Sequence, residues 1–594
     1  MSKQDQPAKY DYKTYAQLAG KYATLGRRAS KNYRVRYRQV STRRDAMRTI
    51  SLALATIGIE AGFLGWLLFS MVEPIWNQDV TIGAAFVAML ICIFIIESFR
   101  LMSIVSFAVS ALMARNPIPV RPEPDMHVAF TTAIVPSKEP FEMVEQTLKA
   151  MKRVKYKGGK IDIWLLDEGN DPAIKAACKA MGVKHFSRKG KEAWNMPTGR
   201  YRAKTKHGNY NAWLVSQGKK YDYVLSVDSD HVPRPNYAER MLGYFRDPNV
   251  AFVVGPQVYG NMDGVITRGA ESQSYAFQAT IQRAANTYGA AMFVGTNHAY
   301  RVKTVLGIGG FQDSITEDLL TSLKIHGTRN PETGKYWKSV YTPDVLAVGE
   351  GPSSWTDFFS QQLRWARGAN EILLKNFARC FFHLPWRAKI HYGLIVWCYP
   401  AAALTWTFGI AVSMLYLFLG TTGVGLQDKT WLALYLNVLV SQMILYGWLR
   451  RYNVSPHEQK GSFGMAGIIF SIFAAPIYAH ALYGALTSKK AGFVVTPKGD
   501  TASPDRWMTF KYHLMWGGLI GWFLGYSLLI GNTHPNVKIW CAIGLMASMS
   551  PVIMWRIMIW PQTKANIRTH AQAAYAFITP RKPIRQLFGK GSEI

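Results

Sequence analysis

Acidic residues and cysteines are both scarce, and no stretch of the chain is repetitive or of low complexity. The five cysteines, at 92, 178, 380, 398 and 541, are too few for a disulfide-rich secreted module and show no CxxC spacing. They read as small buried hydrophobes. Neither an apolar run nor a small-residue cleavage site falls in the signal-peptide window, so no secretory signal is expected. Asp and Glu number 37 against 69 Lys and Arg, leaving a formal charge of +32. A disordered basic chain is excluded, because 49% of residues are hydrophobic and 13% aromatic. One small domain is excluded by the 594-residue length, since a single core rarely grows past about 300 residues. Two classes fit a basic, aromatic-rich chain: a nucleic-acid binder, or a membrane protein whose charge lies on one side of the bilayer.

The distribution of charge separates them. Residues 1–49 hold 13 Lys or Arg against three acids. Apolar runs long enough to span follow at Ile50–Val72 and Ile82–Met113, and resume after the middle of the chain near 391–419, 431–449, 463–486, 512–531 and 537–559. The segment 73–81 has no Lys or Arg, and 420–430 and 532–536 are nearly free of them, which makes these loops external. Residues 450–462 and 487–511 are basic and read as cytoplasmic, so 463–486, with Pro476 and His480, is expected to lie along the interface rather than cross. Six spans result, two before the central domain and four after it, with both termini and that domain in the cytoplasm of a multi-pass inner- or plasma-membrane protein. The divisions are 1–49 (basic segment), 50–115 (two spans), 116–377 (soluble domain), 378–560 (interfacial helices, four spans and a basic loop at 487–511) and 561–594 (basic tail). A nucleic-acid partner is not expected.

Within the central domain HVAFTTAIVP, IDIWLLDEG and YDYVLSVDSD read as strands, and FEMVEQTLKAMKRV as a helix. Such alternation implies a mostly parallel sheet whose ligands bind beyond the carboxyl ends of the strands. Asp167 and Glu168, and Asp228 and Asp230, fall at those ends. Asp228, Asp230 and His231 offer two carboxylates and an imidazole, a donor set for a divalent ion with open positions for diphosphate oxygens. Solvated turn acids are the bland alternative. Thr316-Glu317-Asp318 precedes a helix-like run; it is either a simple N-cap with acids in the first turn or a site where Asp318 acts as general base. Gln361, Arg364 and Trp365 lie on another predicted helix. Arg364 suits a phosphate and Trp365 the face of a sugar ring, or the pair anchors the chain at a membrane surface.

The ordered set SKEP (137–140), LLDEG (165–169), KHGN (206–209), VDSDHVP (227–233), ITED (315–318), QQLRW (361–365) and FVVTPKG (493–499) resembles the family 2 processive membrane glycosyltransferases, the cellulose synthase and curdlan synthase group. The resemblance covers about residues 90–560. It implies an α/β GT-A-like cytoplasmic glycosyltransferase domain inserted in an α-helical transmembrane domain of about six spans plus interfacial helices. It implies a UDP-sugar donor, UDP-glucose being favoured, and a growing polysaccharide as acceptor. Ser137, Glu139, Asp167 and Lys206 would contact the nucleotide. Asp228, Asp230 and His231 would hold Mg²⁺ or Mn²⁺, with Asp228 also on the diphosphate. Asp318 would be the base, with Glu317 beside it on the substrate. Gln361, Arg364 and Trp365 would hold the diphosphate and the polymer end, and Thr496 and Lys498 would close over the donor. The spans would form an export channel, and a separate accessory export protein is a candidate partner.

Three features depart from the group's pattern. The first acidic pair is Asp-Glu where Asp-Asp is usual. The acceptor-side segment reads Met292-Phe293-Val294-Gly295-Thr296-Asn297 where cellulose synthases have FFCGS, which opens β-1,3 or mixed linkage beside β-1,4 at Phe293, Gly295, Thr296 and Asn297. Finally, no PilZ barrel for cyclic di-GMP is expected after the last span, and Arg581 and Arg585 read as membrane-surface residues. The expected function is a processive, inverting β-glucan synthase. Another β-linked polysaccharide synthase, or a non-processive glycolipid transferase, is the alternative.

Overall fold

The computed structural model describes residues 18–26, 32–72, 80–419, 428–459, 461–487, 503–531 and 535–578. A short antiparallel ribbon of β1 (Tyr37–Gln39) and β2 (Arg115–Pro117) brackets two long helices, α1 (Arg43–Val72) and α2 (Val80–Met113). The chain then enters a seven-stranded sheet built from β3 (Val128–Ile134), β4 (Ile161–Asp167), β5 (Lys184–Phe186), β6 (Tyr223–Ser226), β8 (Val250–Val254), β9 (His298–Arg301) and β10 (Lys338–Tyr341). Its order is β10-β8-β9-β6-β3-β4-β5; β9 runs antiparallel to both neighbours and the other pairs are parallel. Runs such as VAFTTAI and VAFVV stay apolar on successive residues because helices and loops cover both faces. The strands and the helix expected from sequence lie where the pattern places them. A small antiparallel pair, β7 (Val232–Pro233) with β11 (Ala347–Val348), sits past the end of β6.

Five further helices position the site or frame it: α3 (Lys206–Ser216), α4 (Val265–Ala276), α5 (Glu317–His326), α6 (Trp355–Ile372) and α7 (Cys398–Leu419). They are followed by α8 (Asp428–Leu449), α9 (Met465–Leu486), α10 (Lys511–Leu529) and α11 (Pro535–Ile578). Among the described residues, six helical segments are long and apolar enough to cross a membrane: Arg43–Phe69, Val87–Met113, Trp386–Phe418, Leu432–Tyr452, Met465–Leu486 and Lys538–Ile559. The number matches the sequence reading, but the membership differs, since α9 qualifies and α10 does not. Half of the α9 window is buried by protein, more than twice the share of any other. α9 packs on α4 and α6 of the domain as well as on α7, through Phe470, Phe473 and Ile477 against Trp355 and Phe358.

Both flanks of α9 are tied to the domain. Before it, Ser455 Oγ donates to Glu271 Oε1 (2.9 Å), His457 Nε2 meets the Tyr259 carbonyl (2.6 Å), and Ser272 Oγ donates to Glu458 (2.7 Å). After it, Asp505 accepts from the Trp355 and Thr356 amides (3.3 and 2.9 Å), and Ser503 N donates to Asp357 (3.1 Å).

Part of the N-terminal basic segment is tied to the domain. Arg34 Nη1 and the Val35 amide both reach the buried Asp247 (each 3.2 Å), which Lys338 also holds (2.7 Å). Tyr22 donates its hydroxyl to the Val345 carbonyl at 2.7 Å and lies against Arg234 and Arg240.

Candidate active site

A cleft of about 970 Å³ opens at the carboxyl ends of β3, β4 and β6, where an open α/β sheet leaves its loops free to bind. On its first wall the turn after β3 is closed by Glu139, whose Oε2 accepts the Val135 amide (2.8 Å). Its Oε1 accepts Ser229 Oγ (2.5 Å). Glu139 thereby fastens the 137–140 turn to the Asp-Ser-Asp turn, and Ser137 faces the cleft.

The two acids after β4 divide. Asp167 is fully buried and accepts from the Gly169 and Asp171 amides (2.7 and 2.8 Å) and meets His185 Nε2 (3.1 Å). Burial works to raise its pKa, but these hydrogen bonds outweigh it and hold the carboxyl below its usual range. Glu168 is the one that lines the cleft. It pairs with Arg188 at 2.7 Å, and burial raises its pKa. Asp167 therefore shapes the loop after β4, and its side chain does not reach the cleft lining.

Asp228, Asp230 and His231 present ligand atoms within 4.8 Å of one another. Asp230 is fixed from two sides, by the Glu350 amide (2.9 Å) and by His231 Nδ1 (3.1 Å). His231 is buried, and its Nε2 has no hydrogen-bond partner among the described residues. Gly349 lies against the ring: a Cβ there would be 2.2 Å from His231 Cε1, so glycine lets the backbone just after β11 pass so close. Two carboxylates and an imidazole with a spare nitrogen fit a divalent ion such as Mg²⁺ or Mn²⁺. Lys206 opens α3, whose N-cap Thr205 accepts the Gly208 amide at 3.2 Å. Its ammonium pairs with the Asp228 carboxylate and donates to the Gly295 carbonyl (2.6 Å). Burial disfavours that charge, yet Asp228, Tyr210 and Glu317 hold the pKa above the usual lysine value.

Opposite stand Glu317, Asp318, Gln361, Arg364 and Trp365, all on the cleft lining. Asp318 Oδ1 accepts the Leu319 amide (2.8 Å) at the first turn of α5, where the helix end favours an anion. Burial nevertheless raises its pKa, against the Leu319 amide, Lys206 and Arg364. Burial likewise raises Glu317, with Asp318 adding to it. Thr316 sits at the N-cap position but makes no capping bond. Its hydroxyl is turned against α6 instead. A Cβ on Gly368 would lie 2.5 Å from Thr316 Oγ1 and 2.9 Å from its amide nitrogen. A bare backbone at Gly368 is what allows α6 to bring Arg364 and Trp365 next to the Asp318 turn. Beside them Gln362 accepts from the Tyr478 hydroxyl (2.5 Å), and Tyr478 stacks edge-on with Tyr399 of α7.

Of the acceptor-side residues, Gly295 reaches the cleft, together with Val294. Phe293 is buried against Phe252, Thr296 Oγ1 accepts the Asp228 amide (2.9 Å), and Asn297 binds the Pro256 carbonyl (2.9 Å). These three brace the wall from behind. Thr496 and Lys498 lie outside the described residues.

Sequence reading missed Arg188, whose fully buried guanidinium binds Glu168 and the carbonyls of Trp194, Arg202 and Thr205. It moors the loop that delivers Lys206, and no motif or spacing marks it. Gly349 and Gly368 were missed for the same reason, because their contribution is the absence of a side chain.

The family described as Glycosyl transferase family 2 matches residues 132–307, and that described as Glycosyl transferase family group 2 matches 223–448. The domain belongs to the family 2 glycosyltransferases. Its fold is the GT-A-like α/β arrangement that the motif order implied, and the resemblance to cellulose synthases is borne out. A UDP-forming cellulose synthase catalytic subunit of Dictyostelium discoideum is 31% identical over 230 residues, 38% of this chain and 21% of that protein. The glucomannan 4-beta-mannosyltransferase 7 of Arabidopsis thaliana is 26% identical over 251 residues, 41% of this chain and 43% of that protein. The chain thus matches less than half the length of these relatives. Among solved structures, a mannosyltransferase from Pyrobaculum calidifontis in complex with GDP-Man and Mn²⁺ shows 15% identity and a TM-score of 0.42, over 65% of this chain and 99% of that one.

Proposed function

We propose that this family 2 glycosyltransferase is a processive, inverting β-glucan synthase that polymerises glucose from UDP-glucose and exports the chain through its own helices. The observation that carries the reading is the cleft itself, in which the Asp228–Asp230–His231 donor set faces Asp318, Arg364 and Trp365 across one cavity. Asp318 takes the proton from the acceptor hydroxyl as that oxygen displaces the nucleotide at the anomeric carbon. Arg364 pairs with the departing diphosphate, and Trp365 presents its face to the terminal sugar. A divalent ion on Asp228, Asp230 and His231 supplies charge neutralisation for the leaving group when bound.

Export is supported by a second cavity of about 950 Å³ among the apolar helices, bordered by Trp406, Tyr416, Tyr435 and Trp540 and by the polar Glu97, Arg100 and Gln442. Aromatic faces and hydrogen-bonding groups are what a sugar chain needs from a wall. A single-step glycolipid transferase needs neither this cavity nor a polymer-end clamp. The catalytic domain lies in the cytoplasm in this reading, with six spans formed by α1, α2, α7, α8, α10 and α11, and α9 along the interface. A second reading is a mannose-containing polymer. It rests on the similarity to the glucomannan mannosyltransferase.

Purified protein incubated with radiolabelled UDP-glucose and Mn²⁺ or Mg²⁺ is expected to give insoluble product degraded by a linkage-specific glucanase. Incorporation from GDP-mannose alone would move the assignment to the second reading. A chloroform-soluble single-sugar product would overturn processivity.

A further inference from the structure

Lys206 and a divalent ion have the same target. The lysine ammonium pairs with Asp228 Oδ1, one of the three groups whose ligand atoms converge. The other two are differently placed: Asp230 and His231 are buried, bonded to each other, and braced by the Glu350 amide and the Gly349 backbone. Asp228 is the half-exposed member, at 26% side-chain exposure, and Lys206 is nearly as open, at 22%. Whichever Asp228 oxygen a dication takes, two positive charges would then share one carboxylate, so ammonium and ion weaken each other's hold on it. Lys206 has somewhere to stay when displaced, because its second bond is to the Gly295 carbonyl, on the wall of the same cleft (2.6 Å). From there its ammonium faces the space in which a diphosphate would lie.

We infer that Lys206 is an exchangeable counter-ion for Asp228, released to the nucleotide diphosphate when a divalent cation takes that carboxylate, so that metal and nucleotide each raise the affinity for the other. The inference rests on the functional reading above and adds to it a named origin for the linkage. Metal alone must evict the ammonium; metal with a diphosphate gives the evicted charge a partner. Reciprocal coupling of that kind is commonly about 5–150-fold.

The test is binding, read by Mn²⁺ electron paramagnetic resonance and by calorimetry on the full-length protein, with and without UDP. In the wild type, UDP is expected to tighten Mn²⁺ by about tenfold or more. In Lys206→Met the affinity for Mn²⁺ without UDP is expected to rise about threefold or more, because the competitor is gone, while the UDP effect shrinks towards none. Lys206→Arg, which keeps the charge, should retain weak Mn²⁺ binding without UDP. If Lys206→Met binds Mn²⁺ without UDP no more tightly than the wild type, the exchange is wrong even though the site stands. If the wild type binds no Mn²⁺ even with UDP, the site assignment itself fails.

Discussion

Asp318 is subject to two opposed forces. The first turn of α5 and the cations Lys206 and Arg364 favour its charge, while its burial in the cleft wall opposes it, and burial wins. A base whose pKa is raised loses function on acidification sooner than a solvated aspartate. The acid limb of the pH–rate profile is therefore expected above the ordinary carboxylate value of about 4, with activity falling as pH drops through it. Asp318→Asn should reduce polymer synthesis to less than about 1% while UDP binding stays within about twofold, since only the proton acceptor is removed. Synthesis at tens of per cent of wild type would reassign the base. The charged groups of this site were legible in the sequence because chemistry restricts them to a few residue types in fixed order. Arg188 was not, because its role is to fill carbonyl acceptors that only folding brings together. Asp167 was read as a ligand contact; its carboxylate holds the Gly169 and Asp171 amides while Glu168 lines the cleft, and which of two adjacent side chains points outward is not written in the sequence.

At the scale of elements, the cleft wall proposed to bind the acceptor forms because α6 approaches the Thr316–Asp318 turn without a side chain at the crossing. Gly368→Ala places a methyl group 2.9 Å from the Thr316 amide nitrogen, a backbone atom that cannot swing away. The donor wall, across the cleft, is untouched. Transfer is expected to fall by more than about tenfold with UDP affinity unchanged. A proportional loss of both, measured by calorimetry beside product formation, would mean that the two walls are not independent.

A second joint, between α4 and the segment before α9, is expected to respond to pH. Burial pushes Glu271 up to about 8, against the bonds from Ser455 and the Tyr259 amide. Its ordinary value is 4.5, so from there to about 8 the unfolded chain releases a proton that the folded joint keeps. Stability contributed by this group is full below the lower value and declines as pH rises through that window. Glu271→Gln should flatten the decline and melt higher than the wild type at pH 8, which thermal unfolding across the range would show. Three strands, β3, β4 and β6, and the Phe141–Lys152 helix followed from the sequence pattern, whereas β5, β8, β9 and β10 were not read from it. Nor were the joints, because residues almost two hundred positions apart carry no pattern that pairs them.

For the whole molecule, the decisive question is which helices cross. Length and composition alone count α9 and omit α10, since α10 begins with Lys511 and His513 while α9 holds no Asp, Glu, Lys or Arg. Apolar faces are also what a helix needs when it is wedged between a domain and a bilayer, so composition cannot separate crossing from lying flat. The anchors can. Segment 450–459 is bonded to α4 and to Tyr259, and segment 503–510 to the start of α6, so both ends of α9 are held by one domain. A single crossing would carry them to opposite sides. The charge asymmetry leads to the same arrangement, because Arg450, Arg451 and Arg506 then share a side with the basic N-terminal segment. In a cysteine-free background on intact cells, a membrane-impermeant maleimide is expected to label Ile530→Cys, at the far end of α10, from outside. Gln459→Cys and Arg506→Cys, both exposed and flanking α9, should react only after lysis. Labelling of one of this pair from outside, with the other protected, would show that α9 crosses, and would require α10 to surrender its span.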